Sequence, residues 1–582
     1  MGEVARPVSG GSVTAQKRRT TVSIAVAAFR AAGLVTVALV TLRGAAARAD
    51  ALYVNLIVSF GVACLVGFLW LAVSGYFGYG SARRGDWVSL VPGCVALIVR
   101  EMFTLHSVEG IEIQFATGIQ FAQGPVGRHS VLYPLLQMFF VPMVRDPQSF
   151  TMHVNGVLGA LATLSMYLFV RQRTASRSAG FFCALFLATH PVVARFSPTD
   201  GSYSLLLATW FSALAMLSAP DLDARAMLGG AGLLGIAATL RLEGLVLIVA
   251  SVLMLDRRAL ANGVRRHRTA AVLSLLLVGA LGGTQMYFLL PASLGGPMIY
   301  LPDAAAPNEV VKLLLWPVVR NGPMFQALVV AGAVSGIVVG RWFGLLAFIA
   351  MLVVVAPVVN SAHASGLHRL VPTCALQSMM AGIGAYGVVA WRRSARWLPA
   401  ALSLAAFYIL VQQRSDLTRP YVFTEEYDLV RTHLAPGGVP ARDCRLMTFK
   451  AADDEDVHDF GVVVPGMTVL DCRSLDCLAE LSTGGCFYYL RSAACYFHDT
   501  GVPAACAAAG EIGGDRFVCL NGPSAAFEES VDLQPVEVRT IDIRNTFPEW
   551  SRNYPKRADI GLFRVRLKSL VQRWRPRVGI PG

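Results

Sequence analysis

Long apolar runs separated by short polar loops constrain the fold of this 582-residue chain more than any other feature. A helix of about 20 apolar residues is long enough to cross the hydrocarbon core of a bilayer. The chain contains about thirteen such runs, and the shorter ones require partial burial among neighbouring helices or local thinning of the bilayer. Their approximate bounds are 21–42, 51–75, 87–104, 152–170, 179–193, 203–218, 227–239, 244–256, 270–290, 323–340, 342–360, 371–391 and 397–413. The sequence therefore predicts an all-α polytopic membrane protein over residues 21–413.

Composition agrees with a membrane protein and argues against a nucleic-acid-binding one. Hydrophobic residues make up 55% of the chain and charged residues only 15%, whereas soluble domains carry about 25% charged residues. The net charge of +13 would suit nucleic acid, but the basic residues form short clusters between the apolar runs. That arrangement orients membrane spans. No zinc-finger spacing or aromatic RNA-binding motif accompanies it, so we expect membrane lipids and no nucleic acid as partners.

The loop charges and the cysteines predict the same orientation. With residues 1–20 as a cytoplasmic segment, the inner loops carry about twice as many lysines and arginines as the outer loops, in agreement with the positive-inside rule. An odd number of spans then places the tail, residues 414–582, outside. We therefore expect a multi-pass protein of the cell inner (plasma) membrane with an extracytoplasmic tail.

The cysteines of the tail also indicate an extracytoplasmic location. The tail contains no Cys-x-x-Cys pair, which favours disulfides over a zinc site. Disulfides require an oxidising compartment, and an odd number of cysteines leaves one thiol over. The tail cysteines are Cys444, Cys472, Cys477, Cys486, Cys495, Cys506 and Cys519.

The tail also changes in character from the apolar runs before it. Residues 421–434 have the pattern of a helix, and glycine and proline punctuate the short β-like runs that follow. We predict a small α/β or α+β domain over residues 414–582. The basic end, residues 564–577, has apolar residues at helical spacing; it either lies on an anionic membrane surface or is a solvated or disordered tail. The β-like runs are 445–449, 461–470 and 486–490.

The predicted outer loop 105–150 carries carboxylates beside apolar residues. Glu109 and Glu112 are three residues apart, so they share one face of an interfacial helix predicted near 110–122. A partly desolvated carboxylate at a membrane surface is placed to take a proton from a hydroxyl. The alternative is that both carboxylates only form the wetted side of that helix. The proline-broken segment 132–143 is predicted to be a second interfacial or re-entrant helix.

Other ionisable residues lie on the predicted outer side, where their cost beside membrane spans makes them functional candidates. Structural alternatives exist: Arg241 and Glu243 could only neutralise each other in a buried break, Asp200 could cap the next helix, and the histidines could be packing or surface residues. The histidines have no diagnostic metal spacing; we predict no cofactor, and a divalent metal stays an open alternative. These candidates are His106, His129, Arg195, Asp200, Arg241, Glu243, His363, His368 and Arg369.

The order of these motifs resembles that of GT-C fold glycosyltransferases, which include protein O-mannosyltransferases and the lipid A aminoarabinose transferase. The resemblance covers residues 87–390 and leaves the cysteine-rich tail as an addition. In the family the first outer loop reads Asp-Glu and later Pro-Pro-Leu-Tyr; here Val108 replaces the first acid and the proline pair is absent. The matching segments are Val108-Glu109, Ser130-Val131-Leu132-Tyr133, Thr239-Leu240-Arg241-Leu242-Glu243 and His368-Arg369-Leu370-Val371-Pro372.

The resemblance implies inverting transfer of a sugar from a polyprenyl-phosphate donor to a hydroxyl of a lipid, glycan or protein acceptor, on the extracytoplasmic side. Glu109 would be the general base, and Asp200 a second acid that orients the acceptor or the sugar. Arg369, alone or together with Arg241, would hold the lipid phosphate. The other substrate-binding residues implied are Glu112, His129, Tyr133, Glu243 and His368.

Two other functions are consistent with many apolar runs. A transporter or flippase of lipid-linked glycans predicts ionisable residues deep in the spans and repeated halves. A non-catalytic anchor for the cysteine-rich tail would not require acids in several separate outer loops. Here the charges gather at one predicted face and no repeat is evident, which favours the transferase.

The topology can be tested by a map of cysteine accessibility or reporter fusions. Residues 105–150 and 415–582 should be outside, and residues 171–178 and 257–269 inside, because the basic loops remain cytoplasmic. A reduced, cytoplasmic tail would contradict both the orientation and the catalytic face.

Overall fold

A computed structural model describes the chain as a body of apolar helices followed by a small sheet. The described residues are 90–102, 132–140, 147–199, 201–219, 222–295, 318, 321–339, 343–360, 370–392, 397–413, 422–434, 444–449, 467–472, 476–492, 495, 520, 522–542 and 557–568. The prediction of a mainly helical chain with a small C-terminal sheet is confirmed.

Apart from α9, which lies in the predicted loop 257–269, the helices of the apolar part coincide with predicted segments, and their ends differ by about five residues or fewer. They are α1 Leu90–Glu101, α2 Leu132–Phe140, α3 Pro147–Thr174, α4 Arg177–Thr189, α5 Pro191–Phe196, α6 Tyr203–Leu217, α7 Ala224–Leu240, α8 Leu242–Met254, α9 Arg257–Arg266, α10 Arg268–Gly295, α11 Gly322–Val339, α12 Phe343–Asn360, α13 Val371–Trp391 and α14 Leu398–Gln412. The runs at 21–42 and 51–75 and the helix predicted near 110–122 lie outside the described residues.

Length and composition single out two of these helices as able to cross a bilayer. Within the part of the chain that the structure describes, these are Phe150–Thr174 and Val371–Trp391. Each of the other apolar helices offers a shorter stretch of 10–17 residues by the same criteria. The total of about thirteen spans and their sidedness therefore stay predictions.

Helices α11 and α13 approach each other closely through glycine. A Cβ atom at Gly332 would overlap the carbonyl oxygen of Met380, and one at Gly384 would overlap the carbonyl oxygen of Leu328. Small residues that let two helix backbones touch are typical of packing between apolar helices in membranes. These two glycines therefore set the distance between α11 and α13.

At one end of the helical body, α3 is joined to the start of α9. The Nε atom of Arg173 donates to the carbonyl oxygen of Met254 at 2.8 Å, and its Nη1 lies 3.1 Å from an oxygen of Asp256. Asp256 caps α9 by accepting from the backbone N–H groups of Arg258 and Ala259. This contact places the end of α3 beside the most basic part of the described chain, Arg257, Arg258, Arg265, Arg266 and Arg268.

The tail forms a five-stranded sheet with the strand order β2-β1-β3-β5-β4. Strand β1 pairs in parallel with β2 and β3, whereas β5 pairs antiparallel with both β3 and β4. Phe449, Tyr489, Phe527 and Phe563 pack together beside it. The elements are α15 Val422–Leu434, β1 Cys444–Thr448, β2 Thr468–Asp471, α16 Cys477–Leu481, β3 Cys486–Arg491, α17 Gly522–Ser530, β4 Val531–Asp542 and β5 Arg557–Leu567.

Two disulfides confirm the prediction from cysteine usage. Cys444 pairs with Cys486 across β1 and β3, and Cys472 pairs with Cys477 between β2 and α16. Cys495 is buried as a free thiol. Cys506 and Cys519 lie outside the described residues.

The helical spacing predicted for the basic end is wrong over residues 564–567, which complete β5. Arg564 pairs with Gln534 and Val565 with Leu533 of β4. Val565 is buried while Arg564 and Arg566 are exposed, which is the two-residue alternation of a strand. The sequence analysis also missed β4, whose alternation is interrupted at Pro535.

Charged side chains hold α15 against the sheet. Arg539 of β4 lies 2.7 Å from both Glu425 and Asp428, and His433 lies 2.6 Å from Glu537. Hydrogen bonds from Arg539 and His433 hold the pKa of Glu537 below its ordinary value. Helix α15, which leads into the tail, is thus held against β4, an edge strand of the sheet.

The close approach of α11 and α13 predicts opposite outcomes for two alanine substitutions. Gly384→Ala should lower stability by about 1–3 kcal/mol because its methyl group meets backbone. Gly279→Ala, in α10, meets nothing within 4 Å and should leave stability unchanged or slightly raised. Thermal unfolding of the detergent-purified protein measures both. Equal unfolding temperatures would show that the two helices are not in tight contact.

Candidate functional site

Polar groups of the helical body converge on the turn between α5 and α6, residues 197–203. Ser197, Thr199 and Ser202 are all buried. Asp200 itself lies outside the described residues, but its neighbours on both sides are described. Buried polar groups need hydrogen-bond partners: one side chain reaches the backbone of this turn, and two arginines reach its hydroxyl groups.

The first partner is Asn155 of α3, whose side chain is only 1% exposed. Its Nδ2 atom lies 2.6 Å from the carbonyl oxygen of Thr199 and 2.9 Å from that of Gly201. The two N–H groups of the amide can therefore serve these two carbonyls. The hydroxyl of Tyr133, at 3.4 Å from the same nitrogen, is a longer third contact.

The second partner is Arg100, at the end of α1, which is fully buried. Its Nε donates to the hydroxyl of Ser197 at 3.0 Å and its Nη1 to the carbonyl oxygen of Ala96 at 3.1 Å. A Cβ at Gly159 would overlap the guanidinium group, so α3 leaves a slot for this side chain. The Ser197 hydroxyl is also hydrogen-bonded to that of Ser204, which ties both ends of the turn to Arg100.

The third partner is Arg241, the single residue between α7 and α8. Its Nε lies 3.3 Å from a carboxylate oxygen of Glu243, and its Nη1 lies 3.5 Å from the Ser202 hydroxyl. The guanidinium carbon stands 4.3 Å from the centre of the Tyr203 ring, a distance at which a cation is attracted to the ring face. The mutual neutralisation of Arg241 and Glu243, which the sequence left as an alternative, is therefore present.

Of the predicted site residues, the structure brings Tyr133, Arg241 and Glu243 to this turn. Arg195 is buried and faces the Phe196 ring at 5.6 Å. Helix α6 has Ser202 at its N-cap position; Asp200 lies outside the described residues, so the alternative that it caps this helix stays a prediction. The predicted residues outside the described part of the chain are His106, Glu109, Glu112, His129, Asp200, His363, His368 and Arg369.

Sequence analysis missed Arg100 and Asn155. Arg100 lies within the predicted run 87–104, so the rule that ionisable residues inside spans are functional candidates would have identified it. Asn155 has no such signal, because a single amide in an apolar run is common. Glu101, next to Arg100, lies 2.6 Å from His153 of α3. Among the described residues, no group of three or more His, Cys, Asp or Glu side chains is placed to hold a metal ion.

Comparison with known proteins gives a likeness in structure alone. No family model matches the chain, and no curated protein matches it. Two crystal structures of ArnT from Cupriavidus metallidurans do. The apo structure has 12% sequence identity and a TM-score of 0.48 over 82% of this chain and 97% of that chain. The structure bound to undecaprenyl phosphate has 13% identity and a TM-score of 0.46 over 84% of this chain and 99% of that chain.

The chain resembles ArnT. ArnT is the lipid A aminoarabinose transferase of the GT-C fold, and the motifs of this sequence resemble the same group. Both TM-scores are below 0.5, so the function proposed below rests on this chain's own residues.

Proposed function

We propose that this protein is a membrane glycosyltransferase that moves a sugar from a polyprenyl-phosphate donor to a hydroxyl acceptor, with inversion, on the extracytoplasmic side. The observation that supports it is the convergence of Arg100, Asn155 and the Arg241–Glu243 pair on the turn that bears Asp200. Polar and charged groups are costly inside an apolar helical body, so their clustering marks a functional site.

The position of this cluster supports the extracytoplasmic side. Asn155 and Arg173 lie on the same helix, α3, about 27 Å apart at 1.5 Å per residue. Arg173 contacts the start of the basic helix α9, and basic ends of membrane helices face the cytoplasm. The turn at 197–203 is at the other end of α3 and would therefore face outward.

The proposed reaction uses residues of four separate segments on the proposed outer side. Glu109 takes the proton of the acceptor hydroxyl, whose oxygen then bonds to the anomeric carbon. The bond from that carbon to the phosphate oxygen breaks, and its electron pair leaves with the polyprenyl phosphate. Asp200 orients the acceptor or the sugar. The remaining members of the proposed substrate site are Glu112, His129, Tyr133, Glu243 and His368.

The lipid phosphate needs a cation, and Arg369 is the better choice of the two arginines. Glu243 offsets the charge of Arg241 within their ion pair. Arg241 also engages the Ser202 hydroxyl and the Tyr203 ring. We therefore propose that the guanidinium group of Arg369 binds the phosphate through two hydrogen bonds. Arg241, which contacts Ser202 and Tyr203, adds to the positive electrostatic potential at the site.

The class of function is tested with purified protein reconstituted in lipid vesicles. Polyprenyl-phosphate sugars and a panel of hydroxyl acceptors are supplied, and glycosylated acceptor is measured by mass spectrometry. A transferase forms the new glycosidic bond. Movement of the lipid-linked sugar across the bilayer without product would indicate a flippase, and neither activity would indicate an anchor.

The general base is tested by Glu109→Gln. Loss of general-base catalysis should lower turnover by about 10²–10⁴-fold, while expression and binding of the lipid donor stay nearly unchanged because glutamine keeps the size of the side chain. Glu112→Gln, on the same predicted helix, should have a smaller effect. An active Glu109→Gln beside an inactive Asp200→Asn or Glu112→Gln would move the base to another loop.

The phosphate contact is tested by Arg369→Lys. A lysine supplies charge without the planar pair of donors, so donor affinity should fall about ten- to hundred-fold, the range for hydrogen bonds to charged groups. Titration of the donor into the detergent-purified protein measures this. A folded Arg369→Ala variant with full activity would remove Arg369 from the site.

A further inference from the structure

We infer that helix α9 and the first residue of α10 form a binding surface for the negatively charged headgroups of membrane phospholipids. The inference goes beyond sugar transfer and does not depend on it, because it needs only that the apolar helices on either side of α9 lie in a bilayer. This basic face consists of Arg257, Arg258, Arg265, Arg266 and Arg268.

Helix α9 is amphipathic, and its arginines point away from the helical body. All five arginines of the basic face are exposed, whereas Gly263 is buried and Leu260 packs against the core. With 3.6 residues per turn, the four arginines of α9 fall on the side opposite Leu260 and Gly263. A Cβ at Gly263 would meet the side chain of Leu222, so α9 lies close against the segment that precedes α7.

The charges of the basic face are not neutralised within the described part of the chain. Asp256 is the one acidic residue within ten positions of it in the sequence, and its carboxylate pairs with Arg173 and caps α9. None of the five arginines forms an ion pair with a described residue. The four on α9 lie within about 14 Å along the helix axis, so they repel one another and an anionic partner would stabilise them.

Two of these arginines oppose the stability of the helix that carries them. Arg257 and Arg258 are the first two residues of α9, where the positive end of the helix dipole makes a cation unfavourable. Helix stability therefore does not account for their presence, whereas an anionic partner outside the protein does.

Exposed apolar side chains on both sides of the basic face identify the partner as a lipid surface. The last two turns of α8 expose Val249 and Val252, and α10 exposes a group of apolar side chains directly after Arg268. A nucleic acid or another soluble polyanion would leave these apolar groups in water. In a bilayer they contact acyl chains, while the guanidinium groups reach the headgroup phosphates. The exposed residues of α10 are Val272, Leu273, Leu275 and Leu276.

The test measures which lipids the detergent-purified full chain retains. The protein is incubated with equal amounts of phosphatidylglycerol, which is anionic, and phosphatidylcholine with the same acyl chains, and native mass spectrometry gives the ratio of the two bound lipids. The wild type should prefer phosphatidylglycerol. This preference should weaken as salt rises, because the Debye length falls from about 10 Å at 0.1 M to about 3 Å at 1 M. Equal retention of the two lipids would overturn the inference.

The double variant Arg257→Gln/Arg258→Gln removes two charges of the basic face. An arginine near an anionic surface contributes about five-fold in affinity, so the preference for phosphatidylglycerol should fall by at least about five-fold. Thermal unfolding in detergent should be unchanged, since the substitution removes cations from a helix N-terminus. Arg257→Lys/Arg258→Lys keeps the charge and should keep most of the preference. A folded glutamine variant whose preference changes by less than about two-fold contradicts the inference.

Arg564→Gln/Arg566→Gln is the matched control. It removes the same number of positive charges from exposed positions of β5, in the sheet of the tail rather than beside an apolar helix. The preference of this variant should stay within about two-fold of the wild type. An equal loss in the control and in the α9 variant would show a response to net charge alone and would refute a specific surface on α9.

The same measurement separates lipid binding from a role in membrane insertion. Basic loops orient spans while the chain is inserted, and arginines with that role alone would leave the lipid preference of the folded protein unchanged when they are replaced. If Arg257→Gln/Arg258→Gln does not fold, Arg265→Gln/Arg266→Gln, in the last turn of α9, should show the same loss. An unchanged preference in that variant would again overturn the inference.

Discussion

An apolar interior does not tolerate polar groups without partners, and this constraint organises the helical part of the protein. Ser197, Thr199 and Ser202 of the turn are buried, so their polar groups need partners within the protein. Asn155 donates to two backbone carbonyl oxygens of the turn, and Arg100 and Arg241 reach its hydroxyl groups. The segments that carry these side chains must be correctly placed for the turn to keep its shape. The geometry of the site therefore depends on the packing of the helical body.

The buried charged residues of this network contribute more to the conformation of the turn than to the stability of the fold. A buried ion pair such as Arg241–Glu243 gains attraction but loses hydration, and the balance is often close to zero. Arg100 is more extreme, since its guanidinium is fully buried and donates to a hydroxyl and a carbonyl. Apolar residues of similar volume would hold the helices together as well. The polar residues instead determine which conformation the turn adopts.

Much of the fold could be predicted from the sequence, because apolar runs of helical length are a strong local signal. The exceptions inside the helical part are the break before Pro191, which separates α4 from the short α5, and helix α9, which lies in a predicted loop. In the tail, β1 and β3 were predicted, whereas β4 and β5 were missed because charged residues and Pro535 obscure their alternation. For the site, Arg241 and Glu243 are close in sequence and their pairing was foreseen. The contacts of Asn155 with Thr199 and Gly201 join residues more than forty positions apart, and only helix packing determines such contacts.

The strand order of the tail has a consequence for how the protein is made. Strand β5 is the last of the described strands in sequence, yet it lies between β3 and β4 in the sheet. The disulfide between β1 and β3 involves cysteines that emerge from the ribosome well before β5. Translation must therefore pass β5 before the sheet can close, and a chain that stops short of residue 557 loses an interior strand rather than an edge. Such a chain would keep the helices of the body and leave the sheet of the tail open.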